Sequence, residues 1–257
     1  MTILLLLVVA VTTHSAFSWT HFSKPQTLAS LRKPRLAVSM ASSPGPQLHG
    51  TSQSRSPLVN WFALEAGISL QMQPARPSNH PFDQVPFLTD DSGEVEIFES
   101  GAILLYLADR YGNPSSSDAV TRAKYTKWVV WAGAELDGLC FGAIPGDHRV
   151  RGTSMDNPSI KQVAILESIL GQSEWLVDGS FSVADVAVGS YLNYVPIFFP
   201  GANLSKTPNI ANYMKRCAER PAFQEAFGAG HSNLVQKKTA EWTTSEPAQE
   251  KKIFGMF

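Results

Sequence analysis

Apolar and polar positions fall into regular patterns only past residue 45. Leu48-His49 is a short strand candidate that ends in the polar turn Gly50-Thr51-Ser52-Gln53-Ser54. Ser56-Pro57 reads as a helix cap followed by proline at the first helical position, where a missing N–H costs nothing. Leu58, Val59, Phe62 and Ile68 lie about one helical face, Gly67 ends the helix, and Ile68–Met72 is a second strand candidate. Two more strands are predicted at Val85–Leu88 and Val95–Phe98, joined by the hairpin turn Asp90-Asp91-Ser92-Gly93. A helix starts near Glu99-Ser100, carries Ile103, Leu104 and Leu107 inward, and stops at Gly112-Asn113-Pro114. The order β-α-β then β-β-α predicts a small α/β unit with a mixed sheet.

Beyond a polar linker at Asn113–Ala119, every clear pattern is helical: Thr121–Leu139, about Ser159–Gly171, Ser182–Tyr194, and Asn209–Ala218 with a continuation near Pro221–Phe227. Ser182-Val-Ala-Asp185 has the form of a capping box, with Ser at the cap and an acid three residues on. The stretch from Ser232 onward is polar without a sustained period and predicts a loose extension. The expected division is a leader over 1–45, an α/β domain over 46–113, a linker over 114–120, an all-helical domain over 121–231 and a polar tail over 232–257.

Composition adds the class. With 44% hydrophobic and 17% charged residues the chain can bury a real core, which excludes a wholly disordered, collagen-like or coiled-coil protein. The net charge of −1 argues against nucleic acid as a partner, yet it hides an asymmetry. Residues 1–64 hold five basic residues (Lys24, Arg32, Lys33, Arg35, Arg55) and no acid, so the rest carries 16 basic against 22 acidic residues. Residues 3–11 form a nine-residue apolar run, too short for the roughly 20 residues of a membrane span but suited to the core of a cleaved signal peptide. The segment 17–45 that follows is basic and rich in Ser, Ala and Pro, like a transit peptide. Joined at Ala16-Phe17, the two resemble the bipartite leaders of algae with secondary plastids, which implies plastid import; a secreted or endomembrane protein is the alternative. Two cysteines, Cys140 and Cys217, are too few for a disulfide scaffold, and no C-x-x-C pair suggests zinc or a redox dithiol. Both read as buried small apolar residues.

Four local patterns then combine. They are Ser54-Arg-Ser-Pro-Leu-Val-Asn-Trp-Phe-Ala-Leu-Glu-Ala-Gly67; Gln84-Val85-Pro86; Glu99-Ser100-Gly-Ala-Ile-Leu-Leu-Tyr-Leu; and the capping box followed by Tyr213, Arg216 and Arg220-Pro221-Ala222. Their order and spacing over about residues 46–228 resemble the soluble glutathione S-transferases, in the form that uses a serine. The resemblance implies a thioredoxin-like first domain with a mixed four-stranded sheet and an all-helical second domain. It also implies glutathione as co-substrate without a metal, a small hydrophobic electrophile as second substrate, and a homodimer. A non-catalytic transferase-like module that binds ligands or proteins is the alternative.

The chemistry asked of such a site is specific. A free thiol titrates at about 8.5, so the protein must favour the thiolate with hydrogen bonds and positive potential. A hydroxyl on a turn that feeds a helix N-terminus supplies both. Ser54 is the first candidate and Ser52 the second, because counting back from Gly67 leaves the register open by a residue or two; Ser56 is better explained as the helix cap. All three can also be read as ordinary turn residues. By resemblance, Val85-Pro86 is a cis bond that turns the Val85 main chain outward to pair with the cysteinyl backbone, whereas a trans proline at a strand edge is the plainer alternative. Glu99 and Ser100 suit the γ-glutamyl end, and equally suit a helix cap. Only 17 residues separate Gly67 from Val85, too few for the family's usual second helix, and the candidates left there for the glycine carboxylate are Arg76, His80 and Gln84. Tyr125, Trp128, Ala132 and Glu135, at i, i+3, i+7 and i+10, define a helix face that either lines the second-substrate pocket or packs the domains together. Asp185 reads as structural, and Trp128, Trp131 and Trp175 as core.

Overall fold

The computed structural model describes residues 45–74, 80–112, 118–142 and 150–244. The proposed leader, up to residue 44, and Arg76 lie outside these residues, as does most of the linker. Four strands, β1 (Gln47–His49), β2 (Gln71–Gln73), β3 (Phe87–Asp90) and β4 (Val95–Phe98), form one sheet in the order β2-β1-β3-β4. β1 and β2 run parallel, as the crossover through helix α1 (Ser56–Glu65) requires, whereas β1–β3 and β3–β4 are antiparallel. A 3-10 turn, Asp91–Gly93, closes the β3–β4 hairpin, and helix α2 (Ser100–Tyr111) returns across the sheet. This is a thioredoxin-like domain with a mixed four-stranded sheet. Its inward residues Leu48, Leu88, Leu58, Ile103 and Leu107 are fully or nearly fully buried.

The second domain is helical throughout. Helix α3 (Ala119–Trp131) passes through a π-helical turn, Ala132–Leu136, into α4 (Asp137–Phe141), and α5 (Lys161–Gln172), α6 (Val183–Phe198), α7 (Pro208–Ala218) and α8 (Pro221–Phe227) follow. α6 is its buried axis. The Ser182 hydroxyl and Asp185 carboxylate close the capping box at its start, and Asp185 also accepts from the Leu176 N–H (3.0 Å) and the Tyr213 hydroxyl (3.1 Å). Gly189 on α6 is needed for close packing: a Cβ there would stand 2.8 Å from the Cys217 Sγ. Cys140 and Cys217 are free and buried, and burial pushes both thiols well up.

Strands β2 and β3 lie later than the predicted Ile68–Met72 and Val85–Leu88, so that Val85 precedes its strand and Asp90 ends it, and two larger features also depart from the sequence expectation. The stretch after Phe227 is a sixteen-residue helix, α9 (Ala229–Thr244), packed against α7 and α6, rather than a loose tail. Its buried positions are Ser232, Val235, Thr239 and Trp242, so half of the inward stripe is polar and no apolar period stands out. The Ser232 hydroxyl donates to the Ala218 carbonyl (2.7 Å) and the Thr239 hydroxyl to the Val235 carbonyl (2.8 Å), which lets these residues lie inside. Second, Ser56 is not a side-chain cap. It is the first residue of α1 and fully buried, Arg55 occupies the capping position, and it is the Ser54 hydroxyl that accepts the Ser56 N–H (3.1 Å).

Candidate functional site

The register of the sheet brings the candidate residues to one edge. His49 pairs with Phe87, and Phe87 with Phe98. The chain therefore leaves β1 into the Gly50–Ser54 turn, enters β3 from Val85-Pro86 and leaves β4 into Glu99-Ser100, all at the same end.

The turn after β1 is built around a close approach. A Cβ on Gly50 would lie 1.7 Å from the Ser56 Oγ and 2.7 Å from its Cβ, so only glycine fits. Half-buried Ser54 donates to the Thr51 carbonyl (2.8 Å) and shares a second contact of 2.8 Å with the Ser56 hydroxyl, while Ser52 stands exposed on the outside of the turn. Of the two serine candidates, only Ser54 thus points its oxygen at the start of α1, where unpaired N–H groups concentrate positive potential.

The Val85-Pro86 bond is cis, with Pro86 buried, Val85 half-buried and Gln84 exposed. His80 does not stand free to receive a carboxylate. It is buried beside Phe82, Phe87 and Phe98, and its Nδ1 accepts the Phe82 N–H (2.9 Å), which fixes the loop ahead of Val85.

Glu99 has φ +67° and ψ 115°, a conformation that costs a residue with a side chain roughly 1–3 kcal/mol. Glu99 does occupy the capping position of α2, but its side chain is exposed and makes no capping bond. Ser100 opens α2, and a cavity of about 400 Å³ lies over it, lined by Leu58, Glu99, Ser100, Val130, Gly133 and Tyr191. Burial raises the Tyr191 hydroxyl above its usual range, opposed by Arg55 and by a hydrogen bond with Ser100.

The four positions expected to line a second-substrate pocket do not converge. Tyr125 borders a separate cavity of about 590 Å³ with Phe62, Arg122, Phe181 and Arg220. Trp128, half-buried rather than core, lines an outer groove with Trp131, Ile165 and Ile169; Ala132 is in the core and Glu135 is exposed. The count of i, i+3, i+7 and i+10 assumes 3.6 residues per turn, which the π-helical turn at Ala132–Leu136 breaks for Glu135, whereas Tyr125 and Trp128 lie ahead of it in α3 and still border different cavities. The side of this segment that borders the Ser100 cavity is Val129, Val130, Gly133 and Ala134.

The sequence reading missed residues from distant elements. Arg55, next to Ser54, is ion-paired with Asp137 at the start of α4, and its guanidinium lies 4.1 Å from the centroid of the Tyr191 ring. The Tyr194 hydroxyl donates to the Ser54 carbonyl (3.2 Å). The i, i+3 spacing of Tyr191 and Tyr194 was the available signal, and it identifies a shared face but not what the face meets. Among the described residues, no group of three or more His, Cys, Asp and Glu side chains could hold a metal ion, and no helix is long and apolar enough to cross a membrane.

Comparison with known proteins agrees with this geometry. The model of the glutathione S-transferase N-terminal domain matches residues 59–109, and that of the glutathione S-transferase C-terminal domain matches residues 160–221. The chain is similar to glutathione S-transferase GstB of Escherichia coli, with 28% identity over 156 residues covering 57% of this chain and 74% of that one. It is also similar to the disulfide-bond oxidoreductase YfcG of the same organism, with 28% identity over 175 residues covering 64% and 80%. In fold it resembles a glutathione transferase from Burkholderia graminis solved with two glutathione molecules bound per subunit, at a TM-score of 0.57 and 24% identity over 71% of this chain and 87% of that one. The chain is thus similar to the glutathione S-transferases in two domain models that match in family order, and it shares their fold.

Proposed function

We propose that the protein is a serine-type glutathione transferase that binds glutathione at the sheet edge and stabilises its thiolate for attack on a small electrophile or a peroxide. The observation that carries this reading is the shared register of His49, Phe87 and Phe98, which gathers Ser54, Val85 and Ser100 at one end of the sheet. In this reading the Ser54 hydroxyl turns from the Thr51 carbonyl to donate to the sulfur, and the start of α1 adds its positive potential. The Val85 main chain pairs with the cysteinyl backbone as an added strand would. The Ser100 hydroxyl and the free N–H groups of α2 take the γ-glutamyl carboxylate, while Glu99 accepts from the ammonium. In conjugation to a chloronitrobenzene, a sulfur lone pair forms the S–C bond, chloride leaves with the C–Cl electron pair, and the thiol proton passes to solvent.

The test is retention on immobilised glutathione, followed by conjugation kinetics of wild type and Ser54→Ala. Retention with a large loss of rate in the variant supports the reading; absence of both retention and turnover overturns it. The second reading is a non-catalytic ligand- or protein-binding module. It is favoured by the short connection between β2 and β3, where none of the described residues is helical. The relatives described as disulfide-bond oxidoreductases make thiol–disulfide chemistry a further outcome of the same assays. Assembly as a two-fold dimer and plastid delivery by a cleaved leader complete the proposal, to be checked by solution mass and by sequencing the mature N-terminus.

A further inference from the structure

The Arg55 guanidinium is a charge held in an unusual place. It follows Ser54 directly, and its Nη1 is buried without a hydrogen-bond partner among the described residues. Its Nη2 pairs with Asp137, and its plane lies over the ring of Tyr191, with Phe141 at 5.4 Å and Tyr194 at 6.0 Å. The guanidinium thus covers Tyr191 and Phe141 at the edge of the hydrophobic core. The side chain as a whole is half-buried, but a buried donor left unused, as its Nη1 is, costs stability. The groups facing it are Asp137 and Cys140 from α4 and Tyr191 and Tyr194 from α6; Glu99 acts on Tyr191 from the start of α2. Of these, Asp137 alone carries a charge opposite to Arg55 at close range, and it leaves the cation only partly neutralised.

We infer that the Arg55–Asp137 pair sets the acidity of the bound thiol: Arg55 supplies charge that favours the sulfur anion at the Ser54 turn, and Asp137 moderates it. This rests on the glutathione reading above. Arg55 acts here as a positioning and electrostatic residue, since its nearest contacts are protein groups. Because Arg55 also braces the turn against α6, a structural role and an electrostatic one must be separated, and the sign of the effect does so. Losing the positive charge raises the thiol pKa, and losing the negative charge lowers it.

The experiment is ultraviolet titration of the thiolate band of glutathione bound to the full chain, for wild type, Arg55→Met, Arg55→Lys and Asp137→Asn, with calorimetry of glutathione binding alongside. Arg55→Met is expected to raise the bound-thiol pKa by about half to one unit and Asp137→Asn to lower it by a similar amount, with Arg55→Lys close to wild type. Shifts of the same sign in Arg55→Met and Asp137→Asn, or no shift in either while glutathione still binds, overturn the inference and leave the glutathione reading intact. Should Arg55→Met fail to fold, Arg55→Lys and Asp137→Asn decide the matter by themselves. Wild-type protein that takes up no glutathione overturns both.

Discussion

Arg220, the capping residue before α8, grips Glu65 at the end of α1 with two parallel bonds, Nε to Oε1 and Nη2 to Oε2, each 2.6 Å long. The pair bolts the sheet domain to the helical one across 155 residues of sequence. The same carboxylate accepts the Trp61 indole N–H (2.9 Å), and Trp61 is fully buried against Phe181, Phe223 and Phe227 of the second domain. The Arg220 guanidinium also stacks 3.6 Å from the Phe181 ring centroid. Glu65→Ala leaves Trp61 and Arg220 unpaired at a half-buried seam and is expected to cost about 1.5–3 kcal/mol in urea unfolding. Lys215→Ala, which removes an exposed pair with Glu219, is expected to cost no more than about 0.5 kcal/mol.

Ser54→Ala is expected to lower kcat/KM for conjugation by about 10²-fold, the scale of removing one donor to a developing anion, while Ser52→Ala stays near wild type. Circular dichroism of Ser54→Ala should match wild type, because α1 keeps its Pro57 start and its buried face. A loss at Ser52 instead of Ser54 would move the chemistry along the turn.

Gly50→Ala forces its methyl into Ser56, whose Cβ cannot swing away as a hydroxyl could. The expected result is a loss of about 1–3 kcal/mol in stability together with weaker glutathione retention. Adding Ser56→Gly removes the colliding atoms, so the double variant should recover part of the lost stability, a coupling that a double-mutant cycle reads directly.

Two buried groups give opposite pH dependences. Burial lifts the Asp185 carboxyl to about 6, against hydrogen bonds from the Leu176 N–H, the Tyr213 hydroxyl and Ser182 that favour the anion. The folded chain therefore holds this proton where the unfolded chain, with aspartate at about 3.9, has released it. The contribution of Asp185 to stability is greatest below that value and declines as the pH rises to about 6; carbon NMR of the carboxyl should place its midpoint near there. His231 runs the other way. Burial lowers its pKa, only partly offset by the bond between its Nε2 and the Asn193 carbonyl (2.8 Å). Its contribution is present above about pH 6.5 and is lost as the pH falls toward the depressed folded value. In urea unfolding, His231→Phe should remove that acid-side loss.

Much of the architecture was legible because its signals are local. The Ser182–Asp185 capping box and the Asp90–Gly93 turn each carry their own geometry within a few residues, whereas the cis Val85-Pro86 bond was implied by the family resemblance. Ser54, Val85 and Ser100 were reached through the family resemblance, and they flank the strands β1, β3 and β4. What could not be read is what depends on contacts across the chain. Helix α9 hides because Ser232 and Thr239 satisfy their hydroxyls on backbone carbonyls and so pass for surface residues. Arg55 meets Asp137 82 residues away, and no feature of either neighbourhood points to the other. Of the misassigned face of Tyr125, Trp128, Ala132 and Glu135, the π-helical turn displaces only its far end; Tyr125 and Trp128 lie ahead of it in α3, and the cavity each borders is set by other elements packed against that helix.

That turn acts as a rotational offset between the two ends of one long helical segment. Each residue of an α-helix advances the azimuth by about 100°, so deleting a single residue from the regular α-helical stretch of α3, with the π-helical turn unchanged, would swing α4 around its axis by that angle relative to the start of α3. Asp137 would leave Arg55, and Cys140 and Phe141 would exchange an interior setting for water. The number of residues along this helical segment is therefore a constraint that no side chain within it can relieve.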